Sequence, residues 1–342
     1  MAAASMTNPI YSVNFKKADG TTYHVKDILA DLVISHGRDD LSEKAVISLS
    51  NVKVGGSYIK NLIALKDTVY IYVDVGNGNQ EVLRGVVWER ELSEDISEDT
   101  IRLVCYDNLI YLHNSKDNYF AKKGKRTEDV VKAVAKKWGF SITYKYASIS
   151  HGKLAFHNES IADILISVLD EAKKQTGTNY IIRSEKGKII VDYAGSNTQA
   201  YKIEKKNNVI SSSYEETMDG MITKVHIVKA ETVSSGGGEK ESGKYLTVTS
   251  VKKNTNTYGT LQAILVKGKD EELSNVKKEA NEILKEKSKP STESDLEAVN
   301  NPLIKKGHQV YVSTSNISGH CIVKAIEHDA FKNTMSLEVT KI

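Results

Sequence analysis

Short runs rich in Val, Ile, Thr and Tyr alternate with turn residues along most of the chain, as in antiparallel strands joined by tight turns. Tyr11 to Phe15 and Tyr23 to Val25 flank Ala18-Asp19-Gly20 and predict a hairpin. Ala45 to Val52 sets Ala45, Ile47 and Leu49 on one face against Val46 and Ser48 on the other, the period-two pattern of a half-buried strand. Thr68 to Val75 leads into Gly76-Asn77-Gly78-Asn79, and Glu81 to Glu89 leaves that turn as the next strand.

Three segments carry the helical period instead. Thr127 to Trp138 opens on a threonine cap candidate, has Glu128 and Asp129 in its first turn and stops at Gly139. Ser160 to Gln175 spaces Ile161, Leu165, Val168 and Ala172 by three and four, with Asn158 as cap candidate and Gly177 beyond its end. Asp270 to Lys287 places Leu273, Val276, Ala280 and Ile283 or Leu284 on one stripe of a charged cylinder, expected to lie on its own barrel. Between the first two helices Ser141 to Tyr146 reads as a strand, and Asn179 to Arg183 with Lys188 to Tyr193 reads as a hairpin. Ser234 to Lys240 has loop composition and is expected to be the tip between two long strands.

The C-terminal part repeats the pattern of the N-terminal part. Leu62-Ile63, Lys66 to Ile71, Leu83 to Val87 and Thr100 to Val104 recur in order as Leu303-Ile304, Gly307 to Val312, Ser318 to Val323 and Thr334 to Val339. Asp67, Gly85, Asp107, Gly307 and Gly319 mark the structural positions of this repeat. The expected fold is therefore mainly β with an α/β insert, two related β-barrel domains flanking a small α/β region. The expected division is an N-terminal tail over 1–8, a first barrel over 9–118, the insert over 119–195 and a second barrel over 196–342 containing helix 270–287. Two similar barrels per chain, in a trimer, would set six around one axis and join a sixfold partner to a threefold one.

Length agrees with more than one core, since 342 residues exceed the usual domain of about 150. No apolar run approaches the roughly 18 residues of a membrane helix. Met1 to Thr7 lacks the features of a secretory signal, and Met1 to Met6 reads as an expression scar. Net charge is only +3, and the lysines are scattered, which argues against nucleic-acid recognition. Cys105 and Cys321 fall singly in apolar runs, so neither a disulfide framework nor a zinc site is expected, and a reducing compartment during assembly fits. Seventeen tyrosines against five phenylalanines suit interfaces where a ring packs and its hydroxyl stays wet.

No catalytic constellation emerges. The nine histidines are dispersed, Gly76 to Asn79 joins strands instead of opening a helix, and no Gly-x-Ser-x-Gly elbow occurs. The acidic run Glu89 to Asp99 lacks the glycine of a calcium loop and reads as a charged loop between strands. The expectation is a protein that is no enzyme and binds no cofactor.

Ile34-Ser35-His36-Gly37-Arg38-Asp39-Asp40-Leu41, Arg84-Gly85-Val86-Val87-Trp88, Val104 to Leu112 and the closing Ile322 to Asp329 together resemble baseplate hub proteins of contractile phage tails. The likeness is to the XkdQ type of PBSX-like prophages and R-type bacteriocins, within the late control gene D protein superfamily. It implies a homotrimer, assembled in the bacterial cytoplasm into a tail particle, that meets the tube protein, the spike and other baseplate proteins. Lys122 to Phe140 also resembles a LysM module through Thr127, Val131, Ala135 and Trp138-Gly139. LysM modules bind peptidoglycan, which makes Thr127 and Trp138 candidate glycan contacts and a cell-wall protein the alternative. A degenerate copy serving as a structural insert is preferred.

Overall fold

The computed structural model describes residues 8–94, 99–235, 238–268 and 272–342. Met1 to Met6, part of the acidic run, the centre of the Ser234 to Lys240 tip and the start of the third helix lie outside them. Contacts divide the chain into two units, one of residues 1–172, 178–214 and 294–342, the other of residues 173–177 and 215–293.

In the first unit the chain opens with β1 (Ile10–Lys16), β2 (Thr22–His24), β3 (Leu29–His36), β4 (Lys44–Ser50), β5 (Lys53–Val54), β6 (Ser57–Tyr58) and α1 (Ile59–Leu62). β7 (Thr68–Asp74), β8 (Asn79–Glu94), β9 (Asp99–Asp107) and α2 (Leu109–His113) follow. The hairpin of β1 and β2 forms as its turn residues predict, with Asn14 opposite His24. The buried faces of β1, β3, β4, β7, β8 and β9 converge on Val13, Phe15, Leu32, Ile47, Leu49, Ile71, Ile101 and Leu103, so the sheet covers itself.

The acidic run is not a loop where it is described. Glu89 and Glu91 belong to β8 and Asp99 to β9, because pairing continues past the expected strand end and sets Glu91 beside Arg102 at 3.5 Å. Alternation lets this stretch stay in the ladder with its charges in water.

The insert comprises β10 (Lys116–Ala121), α3 (Thr127–Lys137), β11 (Ile142–Tyr144), β12 (Leu154–Ser160), α4 (Ile161–Thr176), β13 (Tyr180–Glu185) and β14 (Lys188–Tyr193). Both helices lie where periodicity sets them and bury Val130, Val134, Ile161, Leu165 and Val168 together with Leu109 and Leu112 of α2. Their caps differ from expectation. Ser160 caps α4, its Oγ accepting the Asp163 amide at 3.0 Å, while Asn158 takes a left-handed φ of 54° before it. At α3 the Glu128 amide donates to Ser148 Oγ at 3.2 Å, a partner twenty residues away in sequence.

The last part holds β15 (Tyr201–Glu204), β16 (Val209–Ser212), β17 (Glu215–Thr217), β18 (Lys224–Ser235), β19 (Gly238–Lys252), α5 (Thr255–Tyr258), β20 (Gln262–Lys267) and α6 (Leu273–Lys287). β21 (Ser291–Val299), β22 (Gln309–Ser313), β23 (Ser318–Asp329) and β24 (Thr334–Lys341) close the chain. Helix α6, expected on its own barrel, has its apolar stripe on a separate three-stranded sheet. Val276, Ala280 and Leu284 pack on Val225 and Ile227 of the three-stranded sheet β19-β18-β20, a small core within the second unit.

The repeat read from sequence is a repeat of topology. β3-β4-β9-β8-β7 and β16-β21-β24-β23-β22 have the same spatial order, every neighbour antiparallel. Irregularities recur at matching places: Leu29/Asp31 with Val209/Ser211, and Val87/Glu89 with Val323/Ala325. The sixth position differs, since β1 runs antiparallel to β7 whereas β15 runs parallel to β22. The hydrogen-bonded path, read among the described residues, is one open sheet from β16 to β2, with the repeats joined where β23 pairs with β3. Two separate barrels would need each path to return on itself, and here that edge of β3 is taken by β23.

Candidate functional site at the seam of the repeats

Matching hydrogen bonds align the repeats residue by residue. Lys66 donates its amide to the Val87 carbonyl at 2.8 Å, and Val87 donates to Asp67 at 3.0 Å. Gly307 donates to Val323 and Val323 to His308, both at 2.9 Å, so Lys66 and Gly307 are equivalent, with φ of 72° and 83°. At Gly307 a Cβ would lie 2.7 Å from Ile181 Cγ1, so the insert leaves room only for glycine. This register makes Cys321 the counterpart of Gly85. Gly319 falls two residues earlier, so the glycines matched in the sequence comparison are not equivalent.

Asp67, Gly85 and Asp107 surround the same strand ends. Asp67 Oδ2 accepts the Ala64 amide at 2.8 Å and shapes the turn into β7. Gly85 lies opposite Asp107, and a Cβ there would be 2.0 Å from the Tyr106 carbonyl oxygen. Asp107 is buried and accepts the amides of Glu43 at 3.2 Å and Leu109 at 2.9 Å, turning β9 into α2. Burial, then the Glu43 charge, raises its carboxyl to about 7.

Around this corner the second repeat inserts its cations. Lys305 Nζ donates to both Glu43 oxygens at 2.9 Å, and Lys306 Nζ to the carbonyls of Gly37, Arg38 and Asp40 at 2.7 Å. His36 Nε2 lies 3.0 Å from the Asp40 carbonyl, and burial holds its ring neutral, with a pKa of about 3. Across the seam Asn300 Nδ2 reaches the Tyr11 hydroxyl at 2.8 Å, and Asn300 Oδ1 lies 2.8 Å from His328 Nδ1. His328 Nε2 is 3.0 Å from the Ile304 carbonyl, and burial lowers its pKa to about 3.

Asn300 also exposes a pair that pattern reading missed. Its amide donates to the Asn333 carbonyl at 3.0 Å, as the amide of its counterpart Asn51 donates to Asp99 at 2.8 Å. Both asparagines are buried and immediately follow β4 and β21, so an Asn after the alternating strand was the available signal.

These neutral histidines give the seam a pH dependence of known sign. Their folded pKa values lie below the unfolded 6.5, so the stabilisation is complete above that value and is lost as pH falls towards 3. Asp107 acts oppositely, its contribution being present below 3.8 and lost as pH rises through about 7. Two histidines outweigh one carboxyl. The urea midpoint should therefore fall between about pH 7 and about pH 5, and His328→Gln should flatten that slope. An unchanged slope in the variant would show that His328 is not the titrating group.

The insert contains one arrangement that imitates a nucleophile and base. Thr127 Oγ1 lies 2.8 Å from His151 Nε2, and His151 Nδ1 lies 2.7 Å from Glu171. Thr127 is 0% exposed, and its hydroxyl already accepts the Ile149 amide at 3.0 Å, so no substrate reaches it. The same burial removes it as a glycan contact. Trp138 is 38% exposed but stands beyond the other end of α3, about 16 Å along the axis, and donates its indole N–H to Asp117 at 3.1 Å. Among the described residues no group of three His, Cys, Asp or Glu side chains could hold a metal ion. Both cysteines are free and buried, and burial raises the Cys105 thiol far above its ordinary range. The seam is a buried joint held by hydrogen bonds and by the pairing of β23 with β3.

Comparison with known proteins agrees with this architecture. The phage-like element PBSX protein XkdQ of Bacillus subtilis (strain 168) is 24% identical over 299 residues, covering 83% of this chain and 87% of its own. The 43 kDa tail protein of prophage MuSo2 from Shewanella oneidensis superposes with a TM-score of 0.67 at 14% identity, covering 96% of this chain and 98% of that one. A tail protein from Neisseria meningitidis MC58 gives 0.68 at 14% identity, covering 97% and 96%. The family model described as YQBQ-like matches residues 57–340, from the strand before α1 to the last strand of the second repeat, and the chain belongs to that family.

Proposed function

We propose that this chain is a structural hub protein of a contractile phage or bacteriocin tail. It acts as a homotrimer whose six strand repeats surround one axis, facing a sixfold tube on one side and a threefold spike on the other. The observation that carries the reading is the duplication itself: five strands in one order with irregularities at the same positions, within one chain. Three such chains offer six near-equivalent faces, which a single-repeat trimer does not. The fold shared with solved proteins named as tail proteins, together with the hydrogen-bonded joint, supports a structural role. In this reading the chain is made in the bacterial cytoplasm, where buried thiols stay reduced, and enters the particle with the tube, spike and other baseplate proteins.

Electron microscopy of intact particles carrying labelled copies is expected to place three labels at the junction of tube and spike. Labels elsewhere on the particle would end the hub reading. Binding of peptidoglycan through a LysM-like insert is the competing reading, and purified peptidoglycan is expected to retain the protein and Trp138→Ala equally poorly. Saturable retention lost in that variant would favour the cell-wall reading.

A further inference from the structure

Inside the chain the repeats meet through a defined strand pair. β23 extends beyond β22, and its free edge pairs antiparallel with β3, setting Asp329 opposite Val33, His328 opposite Ile34, Glu327 opposite Ser35 and Ile326 opposite His36. His328 and Ile34 are consequently 4% and 3% exposed.

The alignment locates the second half of each contact. Val87 matches Val323, so Arg90, Glu91, Leu92 and Ser93 of β8 match Ile326 to Asp329. Likewise Leu49 and Ile47 match Ala298 and Leu296, so Ser213 and Tyr214 match Val33 and Ile34. Beyond Val87, among the described residues, β8 has β9 on one edge and no strand on the other. β16 likewise has β21 on one edge and no strand on the other. Each open edge carries an apolar side chain in water where its counterpart is buried: Leu92 is 48% exposed and Tyr214 41%. An edge with unpaired backbone groups and exposed apolar residues is a template for strand addition.

We infer that β8 of one chain pairs with the Ser211–Tyr214 edge of a second copy, in the register of the internal seam, with Leu92 opposite Tyr214 and Ser93 opposite Ser213. The occupant is a second copy because the chain already contains the joint that these edges lack. Continuing the register sets Arg90 opposite Glu216 and Glu91 opposite Glu215, so charge neither drives nor forbids the contact. Every chain donates one edge and accepts on the other, a head-to-tail contact that closes into a ring or runs into a filament. Closure at three chains rests on the hub reading; the strand pair does not.

Leu92→Cys with Tyr214→Cys tests the pair in the full chain under mild oxidation. Opposed residues have Cα atoms about 4.5–5.5 Å apart, within disulfide range, and the native cysteines are buried. The double variant is expected to give covalent trimers that dissolve on reduction, and a mixture of the two single variants only dimers. Leu92→Cys with Phe331→Cys, also exposed but off the edge, should give no bond. Unchanged thermal midpoints of the reduced variants establish that they fold.

Absence of a bond between positions 92 and 214, or equal yield in the off-edge control, overturns the strand pair. Sedimentation of the unsubstituted chain separates the two ideas. Trimers without the bond leave the hub reading standing and remove the pair, whereas bonded open filaments support the pair and remove threefold closure.

Discussion

Lys305→Met is expected to cost about 3 to 5 kcal/mol of unfolding free energy, because it leaves a buried carboxylate pair without its cation. Lys305 Nζ touches both oxygens of Glu43, and Glu43 packs beside Asp107, whose carboxyl is already pushed to about 7 by burial and by Glu43. Methionine fills a similar volume, so cavity formation contributes little and the charge term is isolated. The loss is read as a fall in urea midpoint with unchanged slope, measured at neutral pH. A loss under about 1 kcal/mol would show that the cluster is solvated and that the seam is held by strand pairing alone.

Gly85→Ala is expected to destabilise by about 3 kcal/mol although it adds one methyl group. The new Cβ would lie 2.0 Å from the Tyr106 carbonyl oxygen, and the obstacle is backbone in the adjoining strand, so β8 and β9 must separate where Asp107 turns the chain. Gly152→Ala is the matched control: nothing lies within 4 Å of its Cβ position, and a change near zero is expected. Thermal or urea unfolding of both variants checks the difference. Equal stabilities would mean that the ladder at Gly85 yields without cost.

Much of this was legible in order of residues alone. Alternation located β1, β4, β7 and the hairpin of β13 and β14, and the three- and four-residue spacing located α3 and α4, since each such element buries one face and must write that face into its own residues. Leu62-Ile63 and Leu303-Ile304 were matched correctly because the apolar residues before a repeated strand face the same kind of core. Contacts set by another segment were not legible. Ser148 caps α3 from a loop, Ser160 displaces Asn158 at α4, and α6 packs on a three-stranded sheet of its own.

Local residue order was enough to show that the chain is mostly strand, that an α/β segment interrupts it and that its two ends share a pattern. Folding was needed to bring both ends into one sheet, open among the described residues, to match Gly85 with Cys321 and not with Gly319, and to give Asn51 and Asn300 the same place after their strands. The physical reason is that burial periodicity is a local property of a strand. Its partner, register and open edge depend on backbone groups that every residue carries alike, and these become specific only when distant segments meet.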